Sequence, residues 1–314
     1  MQAMILAAGL GTRLWPLTAD RGKPAVPFLG RPLIAGLAEW LGGHGFDRLV
    51  VNTHHQPESI RRALVDLPGL RIEFSHEDQI LGTAGGLALA RDRGLLDPTE
   101  AVLVVNGKLH TDLDLAAVQR AHQKSGASVT MVLRPNPARE HFREVLVDGP
   151  WVSGFGEGRI PSGPAPLLFT GIHILGPSVL AGLEPRFSDT VADVYPPLIA
   201  DRRVHAHLAP EGRWWEFSTL RRYFDLQMIG VDSPQVIAGP DVVIQPGAQV
   251  RRAILWEGAT IEAGAHLEDV VIGAKVVVRR GEQFRGGALV RRDLLAGDDR
   301  GVVHGDRVLV PFEA

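Results

Sequence analysis

Short apolar runs and helix-like stretches alternate along the first two-thirds of the chain. Met4-Ile5-Leu6-Ala7 sits in a run at 3–8 that reads as a buried first strand, and similar runs follow at 48–53, 71–75, 101–106 and 127–133. Between them, residues 32–42, 57–66, 83–92 and 114–124 carry helical periodicity. Pro32 and Pro57 suit the first turn of their helices, and Asp114 suits an N-cap. This alternation predicts an α/β domain with a Rossmann-like mixed, mostly parallel sheet and right-handed crossovers. A last helix is expected near 218–229, where Ser218 is placed to cap it.

The pattern changes at about residue 233, which predicts two domains, 1–232 and 233–314. Gly-Ala pairs recur at 247, 258, 264 and 273, and apolar residues step by six, as in Leu255, Ile261 and Leu267. A period of six fits neither a helix nor an alternating strand. It fits a hexapeptide β-helix, in which each coil has three short faces and a small residue at each corner. The stretch has room for about three coils of about eighteen residues.

Composition narrows the function classes. At 314 residues the first domain can hold a full α/β core. The net charge of −3 provides no basic field for nucleic acid, so cations that serve a ligand must be local. The absence of cysteine excludes disulfides, thiolate metal sites and a cysteine nucleophile. No apolar run approaches membrane-spanning length, which predicts no membrane partner. The first residues lack a basic leader and are needed for the first strand, so a cytoplasmic location is expected.

The local cations lie directly after the first strand. Ala8-Gly9-Leu10-Gly11-Thr12-Arg13-Leu14-Trp15-Pro16-Leu17-Thr18, then Lys23-Pro24, place a glycine-rich turn where open α/β sheets bind ligands. Gly9 and Gly11 let backbone N–H groups approach phosphate oxygens, and Arg13 and Lys23 add two positive charges. A Walker A loop is absent, and the dinucleotide fingerprint fails because Leu14 occupies the third glycine position. The run resembles the signature of sugar-1-phosphate nucleotidylyltransferases of the mannose-1-phosphate guanylyltransferase type, G-x-G-T-R-x-x-P-x-T followed by K-P. In that family a left-handed β-helix often follows the transferase domain, so both halves of the chain fit it.

Five further segments carry the resemblance in order. Val51-Asn52-Thr53-His54-His55 puts neighbouring histidines on opposite strand faces, which excludes chelation of one ion by the pair. Leu81-Gly82-Thr83-Ala84-Gly85-Gly86 opens a helix; by resemblance Gly82, Thr83 and Gly85 lie against the base, with Gln79 an edge contact. Asn106-Gly107-Lys108 stands where the family has N-G-D, whose aspartate helps to hold Mg²⁺. An ammonium cannot ligate a metal and repels one, so the Mg²⁺ expected for the family is in question here. Asp112 and Asp114 lie nearby, but the resemblance makes neither the ligand.

Phe155-Gly156-Glu157-Gly158-Arg159 stands for the family's F-x-E-K-P, keeping Glu157 for the sugar hydroxyls and losing the lysine at 158. Thr170 and Gly171 match the sugar-pocket strand. Trp214-Trp215-Glu216-Phe217-Ser218-Thr219 stands for W-x-D-x-G-T, which makes Glu216 the second metal-ligand position.

The resemblance implies transfer of a nucleoside monophosphate from a nucleoside triphosphate to a sugar-1-phosphate, giving a nucleotide sugar and pyrophosphate. Such a transfer needs alignment and cations rather than a protein nucleophile. Arg13, Lys23 and Lys108 are the catalytic candidates. Ala8, Gly9, Gly11, Thr12, Gln79, Gly82, Thr83, Gly85, Asn106, Gly107, Glu157, Thr170 and Gly171 are the substrate-binding candidates. The alternative is an inactive paralogue that binds a sugar nucleotide as a sensor or regulatory partner, which the changes at 108, 158 and 216 would suit. An acyltransferase ranks below both, since the coil array is short and only His266 and His304 lie in it. The open ends of a short coil array predict a homo-oligomer.

Overall fold

A computed structural model of the chain describes residues 1–156, 165–229, 236–295 and 300–312. They gather into two compact units. The first contains Met1–Gly9, Leu37–His54 and Asp66–Trp214; the second contains Leu10–Gly36, His55–Val65 and Trp215–Ala314. The phosphate-type loop after the first strand therefore belongs to the same unit as the C-terminal strands. The expected boundary at 232/233 lies outside the described residues.

The first unit is organised by nine strands: β1 (Gln2–Leu6), β2 (Arg48–Thr53), β3 (Arg71–His76), β4 (Val102–Asn106), β5 (Val129–Pro135), β6 (Glu144–Asp148), β7 (Trp151–Phe155), β8 (Leu167–Leu175) and β9 (Val204–Leu208). Their order in the sheet is β3-β2-β1-β4-β8-β5-β9-β7-β6. β8 and β7 run against the other seven, so the sheet is mixed but mostly of one direction, as the alternation predicted. Helix Gly82–Asp92 packs on β1, β2 and β3, and helix Leu115–Ser125 on β5 and β9. Asp114 caps the latter by accepting from the Ala117 N–H at 3.2 Å, the role its position suggested. The core joins Leu87 of helix Gly82–Asp92 to Met4, Val50, Val104, Met131, Leu175 and Val204, residues from the continuous apolar runs of strands covered on both faces.

In the second unit, strands Val236–Ala238, Gln249–Leu255, His266–Ile272 and Gln283–Arg291 pair in parallel, as do Val243–Ile244, Thr260–Ile261 and Val277–Val278. Each residue stacks on the one 17 positions later, as in Ala253, Val270 and Gly287. The repeat is thus one residue shorter than the expected coil. Leu255, Ile261 and Leu267, the six-step series, are all buried in one apolar cluster. Two antiparallel strands, Val302–His304 and Arg307–Pro311, close the larger sheet. A separate apolar cluster anchors Leu14, Leu17, Val26 and Phe28 of the glycine-rich segment on Phe217, Tyr223 and Trp256. Its helix is Leu220–Ile229, two residues later than expected. Thr219 rather than Ser218 accepts a first-turn N–H, that of Arg222 at 3.2 Å.

Candidate functional site

The first unit gathers most of the expected positions at the C-terminal ends of β1 to β4, and a buried relay holds them there. The Ala7 N–H donates to Asn52 Oδ1 at 2.6 Å, and Asn52 Nδ2 donates to Glu77 Oε1 at 2.7 Å. The second carboxylate oxygen of Glu77 accepts from the Leu81 N–H at 2.9 Å. Asn52 is 3 % exposed and Glu77 1 %, so neither is positioned to meet a ligand. They tie the chain after β1, where Ala8 and Gly9 lie, to the loop that enters helix Gly82–Asp92. Gly86 makes room for them, since a Cβ there would stand 2.6 Å from Glu77 Oε1. Sequence reasoning missed Glu77. The signal was an acid placed one residue beyond β3, with an asparagine near the end of the neighbouring β2.

The next strand end joins the same rim. The Gly107 N–H donates to the Leu6 carbonyl at 2.9 Å, which sets Asn106, Gly107 and Lys108 beside the end of β1. Asn106 meets Gly171 from β8: a Cβ on Gly171 would come within 2.4 Å of Asn106 Nδ2, and its φ is +78°. Only glycine suits that position. The neighbouring Thr170 is 1 % exposed and donates its hydroxyl to the Val132 carbonyl at 2.8 Å. Its side chain therefore lies inside the sheet, and Gly171 with Asn106 forms the rim.

Gly82, Thr83 and Gly85 face protein. A Cβ on Gly82 would approach the Ser188 carbonyl oxygen to 2.4 Å, and one on Gly85 the Arg186 carbonyl oxygen to 2.1 Å. Thr83 Oγ1 donates to Asp189 Oδ2 at 3.0 Å and accepts from the Thr190 N–H at 2.7 Å. These small residues thus pack against 186–190. Gln79 is exposed.

Lys108 stands half-buried in the turn between β4 and strand Leu109–Thr111. The nearby carboxylates are engaged elsewhere. Asp112 accepts from the Arg213 N–H at 2.6 Å and from Arg213 Nε at 2.8 Å. Burial pushes its pKa up, but these bonds outweigh burial and hold it below the usual carboxylate range. Asp114 serves its helix cap.

His54 and His55 diverge as expected: His54 Nδ1 meets the Glu77 carbonyl at 2.8 Å, and His55 Nε2 meets the Thr18 carbonyl at 2.8 Å. Another buried pair joins Tyr195 Oη to Nδ1 of His173, a residue of β8. Burial pushes the His173 imidazole down to about 3.

The second unit shapes the cationic loop. Gly11 has φ +70°, and a Cβ there would come within 2.9 Å of Thr18 Cγ2 and 3.2 Å of Lys23 Cβ. Thr18 Oγ1 donates back to the Gly11 carbonyl at 3.1 Å, closing the turn. At Gly9, by contrast, a Cβ would meet nothing within 4 Å, so glycine there leaves open backbone. Leu14 is fully buried while Thr12 and Arg13 are exposed, so the turn is rooted by the leucine and presents the arginine. Lys23 is 8 % exposed and its Nζ donates to the Ser218 carbonyl at 3.4 Å. Arg21 completes the scaffold, bonding Asp20 Oδ1 at 2.9 Å and Glu257 Oε1 at 2.7 Å over the Trp256 ring.

Glu216 is buried, with Oε2 4.0 Å from Arg222 Nε and its carbonyl accepting from that same nitrogen at 2.7 Å. In the first unit, the ammonium of Lys108 stands where the family has a metal-binding acid, and an ammonium cannot ligate Mg²⁺. Among the described residues, no three His, Cys, Asp or Glu side chains gather to hold a metal. The lysine at 108 does not fit the ion. Glu157, with positions 158 and 159, lies outside the described residues.

Comparison with known proteins gives a consistent result. A nucleotidyl transferase family profile matches residues 2–230. The mannose-1-phosphate guanyltransferase of Schizosaccharomyces pombe is 32 % identical over 276 residues, covering 80 % of this chain and 73 % of that protein. Mannose-1-phosphate guanylyltransferase 1 of Arabidopsis thaliana is 26 % identical over 343 residues, covering 95 % and 93 %. Among solved structures, HddC from Yersinia pseudotuberculosis complexed with GMP-PN aligns with a TM-score of 0.62 at 20 % identity. It covers 73 % of this chain and 99 % of that one, a likeness of fold. No described helix is long and apolar enough to cross a membrane.

Proposed function

This chain belongs to the nucleotidyl transferase family, and from that premise we propose that it joins mannose-1-phosphate, or a close sugar-1-phosphate, to the guanosine monophosphate of GTP. The observation that carries the reading is the turn from Gly9 to Lys23. Gly11 is locked by its φ and by Thr18, Arg13 is presented outward, and Lys23 is held at its Ser218 contact. The names of the relatives support guanosine and mannose.

In the reaction a sugar-phosphate oxygen attacks the α-phosphorus and forms the new P–O bond. The bond from the α-phosphorus to the bridging oxygen breaks, and the electron pair leaves with pyrophosphate. The backbone of Ala8, Gly9, Gly11 and Thr12 cradles the triphosphate. Arg13 holds the departing phosphates, and Lys23 holds the α-phosphate and the incoming one. Lys108 adds positive charge where the resemblance places a metal-binding acid. Gln79, Gly82, Thr83 and Gly85 border the base, and Asn106, Gly107, Glu157, Thr170 and Gly171 border the sugar. No step uses a metal.

Residues 233–314 are read as a left-handed hexapeptide-repeat β-helix through which copies of the chain associate, in the cytoplasm. The 17-residue parallel stacking supports that reading. The relatives carry transferase names, which favours a working enzyme over the sensor.

The test is pyrophosphate release from purified protein given a panel of triphosphates and sugar-1-phosphates, with Mg²⁺ and with EDTA. Turnover is expected with GTP and mannose-1-phosphate. Turnover is expected to fall by about 10²-fold or more in Arg13→Ala, the scale of removing one charge-stabilising donor. No turnover with any pair under either condition would overturn the assignment.

A further inference from the structure

Strand β8 lies in the middle of the first unit's sheet, yet at one place it falls out of step with β5. Phe169 stands opposite Leu133 and His173 opposite Met131, so Thr170, Gly171 and Ile172 together face the single Val132. Thr170 and Gly171 stand opposite no residue of β4 or β5. Extra residues in a central strand give up ladder hydrogen bonds, so such a bulge persists only where other contacts hold it.

Buried side chains pin the bulge at both ends. At the first, Trp214 Nε1 donates to the Thr170 carbonyl at 2.8 Å, and the Phe142 ring meets the Trp214 ring edge-on with centroids 5.4 Å apart. At the second, Tyr195 Oη bonds His173 Nδ1, and the His173 ring lies 5.3 Å from the Phe169 ring, closing the base of the bulge. Trp214, Tyr195 and His173 are all buried, so they reach a ligand only through the backbone they hold. The crest is Gly171, and the Asn106 amide occupies the space that a Cβ there would need. Asn106 is half-buried at the end of β4, so the height of the crest sets where its amide stands.

We propose that Trp214, His173 and Tyr195 are positioning residues, acting through the bulge on Asn106 and so on the sugar-1-phosphate rather than on the triphosphate. The assignment rests on the transferase reading given above, in which Asn106 and Gly171 border the sugar. The segment read as bordering the base is anchored elsewhere: the Ser188 carbonyl accepts from the Ala84 N–H at 3.0 Å, and Thr83 Oγ1 accepts from the Thr190 N–H at 2.7 Å. Neither Trp214 nor His173 takes part in those bonds. Tyr195 also bonds the Thr190 side chain, so it touches both sides, and the test falls on the other two. Removing either pin leaves the reacting groups in place and loosens the aim of one amide, which is what a positioning residue controls.

The experiment measures KM for mannose-1-phosphate and for GTP, together with amide hydrogen exchange, in the full-length protein and in Trp214→Phe and His173→Phe. Each variant is expected to raise KM for mannose-1-phosphate about tenfold, the scale of one hydrogen bond, with KM for GTP unchanged. The Gly171 and Ile172 amides are expected to exchange faster, while those of Ala84 and Gly85 keep the wild-type rate. His173→Asn, whose amide can still meet Tyr195 Oη, is expected to recover part of the loss. A merely structural role would lower the urea midpoint and leave the two KM values unsplit. Unchanged KM values in both Phe variants overturn the proposal, and so do two KM values that rise together. The two pins are separate, so a variant that fails to fold leaves the other to decide. A wild type that turns over no substrate overturns the transferase reading; faster exchange confined to Gly171 and Ile172 then still supports the pins, and unchanged exchange overturns them.

Discussion

The rim residues of the first unit and the arginines of the second hold their polar groups in opposite ways. In the first, Asn52, Glu77, Thr170 and His173 are each no more than 3 % exposed and bond to one another's neighbours or to backbone. In the second, Arg13 and Arg221 are exposed, and Arg300 lies on an aromatic face beside a cavity. Buried polar groups that satisfy one another fix the shape of a backbone rim. Exposed cations such as Arg13, and Arg221 with its exposed Asp225 pair, cost little to remove. Polar residues near one reaction can therefore have very different costs of removal, and that difference can be measured.

The largest effect is expected at Glu77. Glu77→Ala leaves Asn52 Nδ2 and the Leu81 N–H buried without an acceptor, at about 1–3 kcal/mol each. Urea unfolding should show a loss of about 2–6 kcal/mol, and Asn52→Ala with Glu77→Ala should lose less than the sum. A neutral Glu77→Ala would erase the contrast between the units.

Next comes His173. Its imidazole stays neutral in the folded chain down to about pH 3, whereas the unfolded chain takes up a proton below about 6.5. The unfolded state binds more protons between those values, so stability is full above pH 6.5 and falls as pH drops toward 3. Between pH 6.5 and 5 the loss should be roughly 2 kcal/mol, and His173→Gln should flatten that slope. An unchanged slope in the variant would assign the effect to other histidines.

A smaller effect is expected at Gly11. Gly11→Ala should cost about 1–2 kcal/mol of stability because its φ of +70° disfavours a Cβ. Its effect on triphosphate binding should be larger than its effect on folding, since the displaced groups are Thr18 and Lys23. Equal effects would make the turn a structural element only.

The smallest effect is expected in the coil stack, where Glu268 pairs with Arg251 and with Arg285 at 3.6 Å on the surface. Glu268→Ala should change stability by less than about 1 kcal/mol, and by less still at high salt. A larger, salt-resistant loss would mean that this ladder is buried by another surface in solution.

The legible parts of the molecule are those whose cause is local. Asp114 sits immediately before an apolar helical stretch, and Gly11 sits in a motif whose turn needs a left-handed residue, so both could be read from their neighbours. The coil repeat was readable because each coil repeats the same corners, although the true step of 17 residues depends on how the corners turn. Glu77 was not legible, because its partners Asn52 and Leu81 meet it only once β1, β2 and β3 are in register. The bond from the Thr170 hydroxyl to the Val132 carbonyl, beside a register shift between Phe169 and His173, was not legible either, since nothing local announces it. The cavity lined in part by Thr12, Trp15, Thr219 and Pro311 joins residues almost three hundred positions apart, beyond any window of the sequence.

Arg21, clasped by Asp20 and Glu257 and laid on Trp256, bears on the order in which the protein is made. A ribosome releases the chain from its N-terminal end, and the strands of the first unit are complete by residue 208. At that moment residues 10–36 are already outside the ribosome, yet Tyr223, Trp256 and Glu257 do not exist. Closing contacts over so long a stretch of chain is slow. The glycine-rich loop is thus synthesised long before its floor, so a nascent chain stalled before residue 257 would have a sheet but a loop without its Arg21 anchor.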